Sequence, residues 1–312
     1  MINIYRTVDN KLISPDRIEK DCWINLVNPT EAELQRVAEE TGLQYDFLKD
    51  PLDVDELPRV ELDDDEEQAL IIINAPYVLD EDVYYDTLPL GVVMNDDYIV
   101  TICLRDLDLY EEAVASRIKG LATFKKTRFL LHIINRKTSL FIRYLRDINR
   151  RTEYTEDELS RTMKNKELLY LLNMQKSLVY FSTSLRYNAK VMNRLIRGKI
   201  VKMYEEDEDL LEDVITENNQ AIEMAVIYTD TMKSTMDAFS SMISNNLSLT
   251  MKLLTAITIV LAIPTMISGF WGMNVPVPFD YMGSLWAFFL ILGISLVICI
   301  GSIILLKKKD MF

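Results

Sequence analysis

The sequence predicts an α+β membrane protein with a cytoplasmic N-terminal α/β domain, a long helical stalk hairpin and two C-terminal transmembrane helices. Three observations carry this. Leu253 to Trp271 contains no charged residue, close to the ~20 apolar positions a helix needs to cross a ~30 Å hydrocarbon layer. A second uncharged run, Tyr281 to Leu306, ends abruptly at Lys307-Lys308-Lys309. Between Lys199 and Pro264 there is neither Gly nor Pro, so one helix there would be roughly 100 Å long at ~1.5 Å per residue. That far exceeds the ~11-residue mean and demands a partner or a membrane. The expected segments are 1–125 (α/β), 126–248 (helical), 249–273 (first membrane helix), 274–283 (extracellular loop), 284–306 (second membrane helix) and 307–312 (basic tail).

In lipid the backbone must satisfy its own hydrogen bonds, so both apolar runs read as helices. A short connection makes them a hairpin with both ends on one side. Val275 to Gly283 holds no Lys or Arg and one acid, Asp280, whereas Lys252 and the three C-terminal lysines lie at the opposite ends. The positive-inside rule therefore puts both termini in the cytoplasm. Met1-Ile2-Asn3-Ile4-Tyr5-Arg6 has no basic segment followed by an apolar one, so no cleaved signal peptide is expected.

The net charge is −14, from 48 acids and 34 bases among 312 residues. An acid excess argues against nucleic acid, whose phosphates need basic clusters, and suits a protein that meets cations. Cys22, Cys103 and Cys299 are scattered and His132 is the single histidine, so a Cys/His zinc site is excluded. No Gly-rich phosphate loop and no nucleophile–base pair points to an enzyme. His132, among Phe129, Leu130, Leu131, Ile133 and Ile134, reads as a packed core residue.

Ile2–Thr7 and Cys22–Val27 read as strands, rich in β-branched and aromatic residues. Asn28-Pro29-Thr30-Glu31 starts a helix with Asn28 as cap, ending near Thr41 before Gly42. Further strands are Arg59–Leu62, Ala69–Ala75, Thr87–Met94 and Tyr98–Leu104, the last two joined by a turn at Asn95-Asp96-Asp97. Helices resume near Leu109, break at Gly120 and dominate from Thr127; one of them is expected to span Glu153 to Ile196 before a turn at Arg197-Gly198-Lys199. The Arg143, Arg146, Arg150, Arg151 group reads as a solvated face or a pairing surface for acids. The runs 63–67 and 205–209 read first as solvated acidic faces, the second also favouring a helix N-terminus.

On the first membrane helix, Ser244, Met251, Thr258 and Thr265 recur every seven residues, and Ser248, Thr255, Ala262 and Gly269 form an adjacent row. Small and hydroxyl residues thus share one stripe, while Ile257, Val260, Ile263 and Ile267 mostly point elsewhere. Such a stripe either lets helices approach closely or lines a pore made by several copies. Two helices per chain are too few to enclose a path, which favours the pore. Pro264 removes one backbone bond near this layer.

Gly272-Met273-Asn274, preceded by Phe270-Trp271 and followed by the loop, resembles the signature of the CorA magnesium-transporter family, as do Met251-Lys252-Leu253-Leu254-Thr255, Pro264-Thr265 and, more weakly, Leu57-Pro58-Arg59-Val60-Glu61. The resemblance implies a funnel-shaped homopentamer in the plasma membrane that admits Mg²⁺, with Co²⁺ and Ni²⁺ as further cargo. It implies a selectivity filter of Gly272, Met273 and Asn274, and pore or gate roles for Ser248, Met251, Leu254, Thr255, Thr258, Ala262 and Thr265. It also implies regulatory Mg²⁺ at Asp213, where the family has its stalk aspartate, with Asp80, Glu81 and Asp82 as candidate partner acids. The family's loop segment Met-Pro-Glu-Leu is replaced by Val275-Pro276-Val277-Pro278. The alternatives are a Zn²⁺ or other transition-metal transporter on this scaffold and, from another class, a membrane-anchored sensor or scaffold.

Overall fold

The computed structural model describes residues 1–9, 11–63, 67–80, 84–115, 122–162, 165–198, 200–273 and 285–309. They form two compact units, Met1–Met236 and Asp237–Phe312. The first is built on a seven-stranded sheet: β1 (Ile2–Val8), β2 (Lys11–Ile13), β3 (Trp23–Val27), β4 (Arg59–Asp63), β5 (Gln68–Asp80), β6 (Tyr84–Met94) and β7 (Ile99–Cys103). Their spatial order is β2-β1-β3-β7-β6-β5-β4. Only β3 and β7 pair in parallel, Trp23 opposite Ile99 through Val27 opposite Cys103; the other neighbours are antiparallel.

Alternation along each strand splits the core in two, because successive side chains leave opposite faces. Leu70, Ile72, Ile24, Leu26, Val100 and Ile102 face one layer formed by α1 (Glu31–Thr41) and α2 (Tyr45–Lys49). Ala69, Ile71, Ile73, Trp23 and Ile99 face the other, formed by α4 (Lys126–Thr162), α5 (Asn165–Gly198) and the start of α6 (Glu205–Trp271) through residues such as Phe129, Val191 and Val214. The short α3 (Leu109–Ala115) follows β7. The segments before and after residue 125 therefore share one core.

The N-cap of α1 is Thr30, not Asn28: Thr30 Oγ1 accepts from Glu33 N–H and Glu33 accepts from Thr30 N–H at 2.8 Å. Asn28 instead takes a positive φ of 43° just upstream, which Asn tolerates. The C-cap is as expected, Gly42 at φ 71°. Asn95 folds the β6–β7 turn by accepting from Asp97 and Tyr98 N–H.

The helix expected over Glu153–Ile196 is two helices: α4 runs to Thr162 and α5 starts at Asn165. No Gly or Pro marks that break, so breaker residues alone could not locate it. The second core explains it, since Phe141, Leu145, Ile148 on α4, Leu178, Phe181, Leu185 on α5 and Ala221, Ala225, Met232 on α6 interlock as a three-helix bundle. α6 starts at Glu205 and runs on through Pro264. The break expected at Gly120 lies outside the described residues.

Beyond the end of β4, α5 satisfies the exposed edge of β5. Asn188 accepts from Asn74 N–H and donates to Asn74 C=O, both at 2.8 Å. Ser177 does the same for Tyr85 on β6. The Tyr85 hydroxyl donates to Asp147, which also receives Arg150 at 2.5 Å and Arg151 at 2.7 Å. Burial, reinforced by Asp147, raises the Tyr85 phenol well above its ordinary pKa. Arg143 and Arg146 stay exposed.

Asp207 departs from the solvated reading of its run. It is 2% exposed, receives Arg128 Nε at 2.8 Å and accepts from Tyr204 N–H, closing the first turn of α6. His132 is only partly buried; burial, then the nearby Arg128 charge, lowers its pKa. Arg59 gathers Asp50 at 2.6 Å together with Glu56 and Glu61. At Gly91 on β6 a Cβ would overlap the ring of Pro51, which seats there on the sheet. Gly91→Ala is expected to destabilise the soluble unit by about 1–3 kcal/mol, because a proline ring held in a turn cannot move aside. Thermal unfolding monitored by circular dichroism should show a lower Tm; an unchanged Tm would contradict this packing.

Candidate functional site

The second unit is a pair of helices, the last part of α6 and α7 (Leu285–Lys308). By length and composition both can span a bilayer. They pack through matched stripes. On α6, Ala256 is fully buried and Val260, Ile263, Ile267 and Trp271 are half-buried; on α7, Ile291, Ser295, Cys299 and Ser302 are half-buried and Leu306 is buried. Small residues such as Ala256, Ser295 and Ser302 suit close approach of membrane helices.

Pro264 lies inside α6 and has no N–H to give the carbonyl of Val260, four residues back. Cys299 of α7 faces that carbonyl, its Sγ 3.6 Å from Val260 O. A thiol is a weak donor, yet an orphaned carbonyl in hydrocarbon is costly, so Cys299 takes up the freed group. Counting cysteines could not reveal this role; the i−4 carbonyl of Pro264 is the signal that points to it.

Ser248, Met251, Leu254, Thr255, Thr258, Ala262 and Thr265 all lie exposed on the opposite side of α6. At ~100° per residue their mean direction falls about 160° from that of the α7-packed stripe. Ile257 is exposed as well, at 42%, whereas Val260, Ile263 and Ile267 turn toward α7.

The hydroxyls are arranged alike. Thr255 donates to Met251 C=O at 2.8 Å, Thr258 to Leu254 C=O at 2.8 Å, Thr265 to Leu261 C=O at 3.1 Å and Ser248 to Ser244 C=O at 3.0 Å. Each hydroxyl proton is thereby committed to its own helix, and what the oxygen offers outward is lone pairs. The stripe is uncharged and accepts hydrogen bonds without donating them.

At its end, Gly272 N–H bonds Ser268 C=O at 2.9 Å, and a Cβ on Gly272 would stand 3.3 Å from that same oxygen. Met273 is 52% exposed. Asn274, the loop and Asp280 lie outside the described residues.

The regulatory candidates are in the other unit. Asp213 is exposed on α6, Asp80 ends β5, and Glu81 and Asp82 lie outside the described residues. Among the described residues of one chain, no three His, Cys, Asp or Glu side chains come together to hold a metal.

Soluble sheet domain and apolar helix pair together define a membrane protein with two C-terminal spanning helices. Residues 19–308 match the profile of the family described as CorA-like Mg²⁺ transporter protein, and the chain belongs to that family, one of transporters and not of enzymes. It is 28% identical over 294 residues to the cobalt/magnesium transport protein CorA of Methanocaldococcus jannaschii, covering 92% of this chain and 90% of that protein. It is 22% identical over 315 residues to the cobalt/magnesium transport protein CorA of Thermotoga maritima, covering 98% and 88%. The complete structure of the CorA magnesium transporter from M. jannaschii superposes with a TM-score of 0.83 at 26% identity, covering 100% of this chain and 99% of that one. The cytoplasmic domain of ZntB from Vibrio parahaemolyticus shares the fold alone, at a TM-score of 0.58 and 13% identity.

With Cys299→Ser as background, which retains the donor to Val260, Thr258→Cys and Thr265→Cys are expected to react with a membrane-impermeant maleimide. Val260→Cys and Ile267→Cys should not. Equal labelling at all four positions would show that the two faces of α6 are not distinct.

Proposed function

We propose that five copies of this chain assemble with their α6 helices around a central path and let Mg²⁺ enter the cytoplasm down its electrochemical gradient, with Co²⁺ as a further cargo. The observation that carries this reading is the uncharged, acceptor-only stripe on the face of α6 opposite α7. Mg²⁺ sheds water reluctantly and is commonly handled with several waters retained. Those waters point hydrogens outward, so they need acceptors, which Thr255, Thr258, Thr265 and the backbone carbonyls near Gly272 provide. A ring of carboxylates would bind too tightly for fast release. In this reading Gly272, Met273 and Asn274 form the outer filter, and the exposed apolar side chains of Met251 and Leu254 form a gate that closes by dewetting.

Both termini are cytoplasmic in this arrangement, and the membrane is the plasma membrane. Internal Mg²⁺ acts as regulator at Asp213, bridging to acids of a neighbouring copy, with Asp80, Glu81 and Asp82 as the candidates. Hard carboxylates and a largely hydrated ion make weak sites, of the kind that empties when internal Mg²⁺ falls. A zinc transporter is disfavoured, since the relatives of high coverage are named for cobalt and magnesium whereas the likeness to ZntB is one of fold.

Flux into proteoliposomes tests the conduit directly: Asn274→Ala should assemble and insert normally yet lose most Mg²⁺ uptake. Uptake at the wild-type rate would remove Asn274 from the filter, and a wild-type protein that carries no divalent cation would leave a sensor or scaffold as the function. For regulation, Asp213→Ala should shift inhibition by internal Mg²⁺ to higher concentration and weaken Mg²⁺-dependent protection from protease. Wild-type behaviour in both assays would reduce Asp213 to a solvated surface residue.

A further inference from the structure

Helix α5 turns Ser184, Asn188, Val191 and Leu195 inward, all buried. Outward it presents Arg186, Lys190, Arg194 and Arg197, at helical spacing along one exposed face. Elsewhere in this unit the guanidinium groups of Arg59, Arg128, Arg150 and Arg151 are each claimed by carboxylates. Arg186, Arg194 and Arg197 make no ion pair among the described residues, and Lys190 leans over the Tyr187 ring at 4.6 Å. In a chain whose 48 acids outnumber its 34 bases, four cations left in a row without carboxylates are unexpected. Leu172 and Val179, 36% and 47% exposed, continue the same face toward the helix start and give it an apolar portion.

The same unit carries a complementary row. Glu205, Asp209 and Glu212 are exposed on the first turns of α6, while Glu206 and Asp207 are drawn aside by Arg128. Both rows step by four and then by three or four residues, so their charges recur at the same ~6 Å interval. No ion pair joins them within one chain among the described residues.

We propose that the cationic face of α5 docks the acidic first turns of α6 on a second copy of this chain. This inference rests on the homo-oligomer proposed above and names a surface that holds it together. Two different patches on one chain make a head-to-tail contact, which gives a ring where the rotation from copy to copy closes, whereas a patch that meets its own copy stops at a dimer. Opposite rows facing each other would also relieve the repulsion that a charge of −14 per copy creates on assembly.

The test uses the full-length chain in membranes with Cys299→Ser as background; Cys22 and Cys103 are buried. Lys190→Cys combined with Asp209→Cys should, under mild oxidation, give a ladder of cross-linked species extending past the dimer. Neither single substitution should do so. Dimers from Lys190→Cys alone would mean that the face meets its own copy, and no cross-link at all would mean that it is not an interface; either result overturns the proposal. Charge reversal supplies the second measurement. Arg186→Glu with Arg194→Glu should lower the assembled fraction in native mass spectrometry at least tenfold, and adding Asp209→Lys with Glu212→Lys should restore it. If the reversed variants assemble as the wild type does, or if they lose only binding to phosphatidylglycerol vesicles, the docking is wrong while the oligomer stands. A wild-type chain that is monomeric in every detergent and in membranes would bring down the oligomer itself.

Discussion

Every peptide group of a helix that leaves water must find its partner within the helix, and the uncharged last part of α6, Leu253 to Trp271, is where this chain meets that demand. In its first part α6 is an ordinary amphipathic core helix. Leu211, Val214, Asn218, Ala221, Ala225 and Met232 are buried at helical spacing, and Asn218 donates to Leu185 C=O at 3.0 Å. In its last part the same helix exposes Leu253, Leu254, Leu261 and Phe270. Those exposed apolar groups are stable only in a non-aqueous solvent. The one interior residue that breaks the ladder, Pro264, is matched by a thiol on the packed neighbour.

That neighbour decides which side of α6 is free to act. Because α7 occupies the Ala256–Val260–Ile263–Ile267 face, the hydroxyl stripe is left for contact with something else. Intrahelical hydrogen bonds then fix the sense of each hydroxyl. Local backbone bonding of Ser and Thr, usually a minor perturbation of a helix, here sets the polarity of an entire surface.

Electrostatics follow a comparable division in the soluble unit. Most buried or half-buried acids are spoken for: Asp207 by Arg128, Asp147 by Tyr85 and two arginines, and Glu56 and Glu61 by Arg59. Two of the exposed rows differ in sign, Arg186, Lys190, Arg194 and Arg197 on α5 and Glu205, Asp209 and Glu212 on α6, and no ion pair joins them among the described residues. A buried charge must be compensated within its own chain, whereas an exposed one can wait for a partner or a cation.

The sequence by itself determined the elements whose cause is local. The two apolar runs, the Gly42 cap, the Asn95 turn and the β-branched runs of β3, β5 and β7 depend only on residue type and spacing, and so did the hydroxyl stripe and the Gly-Met-Asn signature that announce the family. Tertiary structure decided what depends on residues distant in the chain. It moved the α1 cap to Thr30, because capping turns on which backbone geometry Asn28 is left to adopt after β3. It divided the helix at Thr162 through a three-helix core that no breaker residue marks. It withdrew Asp207 from an acidic run by bringing up Arg128 from 79 residues away. It also gave Cys299 a carbonyl to serve and chose which face of α6 stays open. Periodicity can name a stripe, but only the position of the packed neighbour says which stripe is covered.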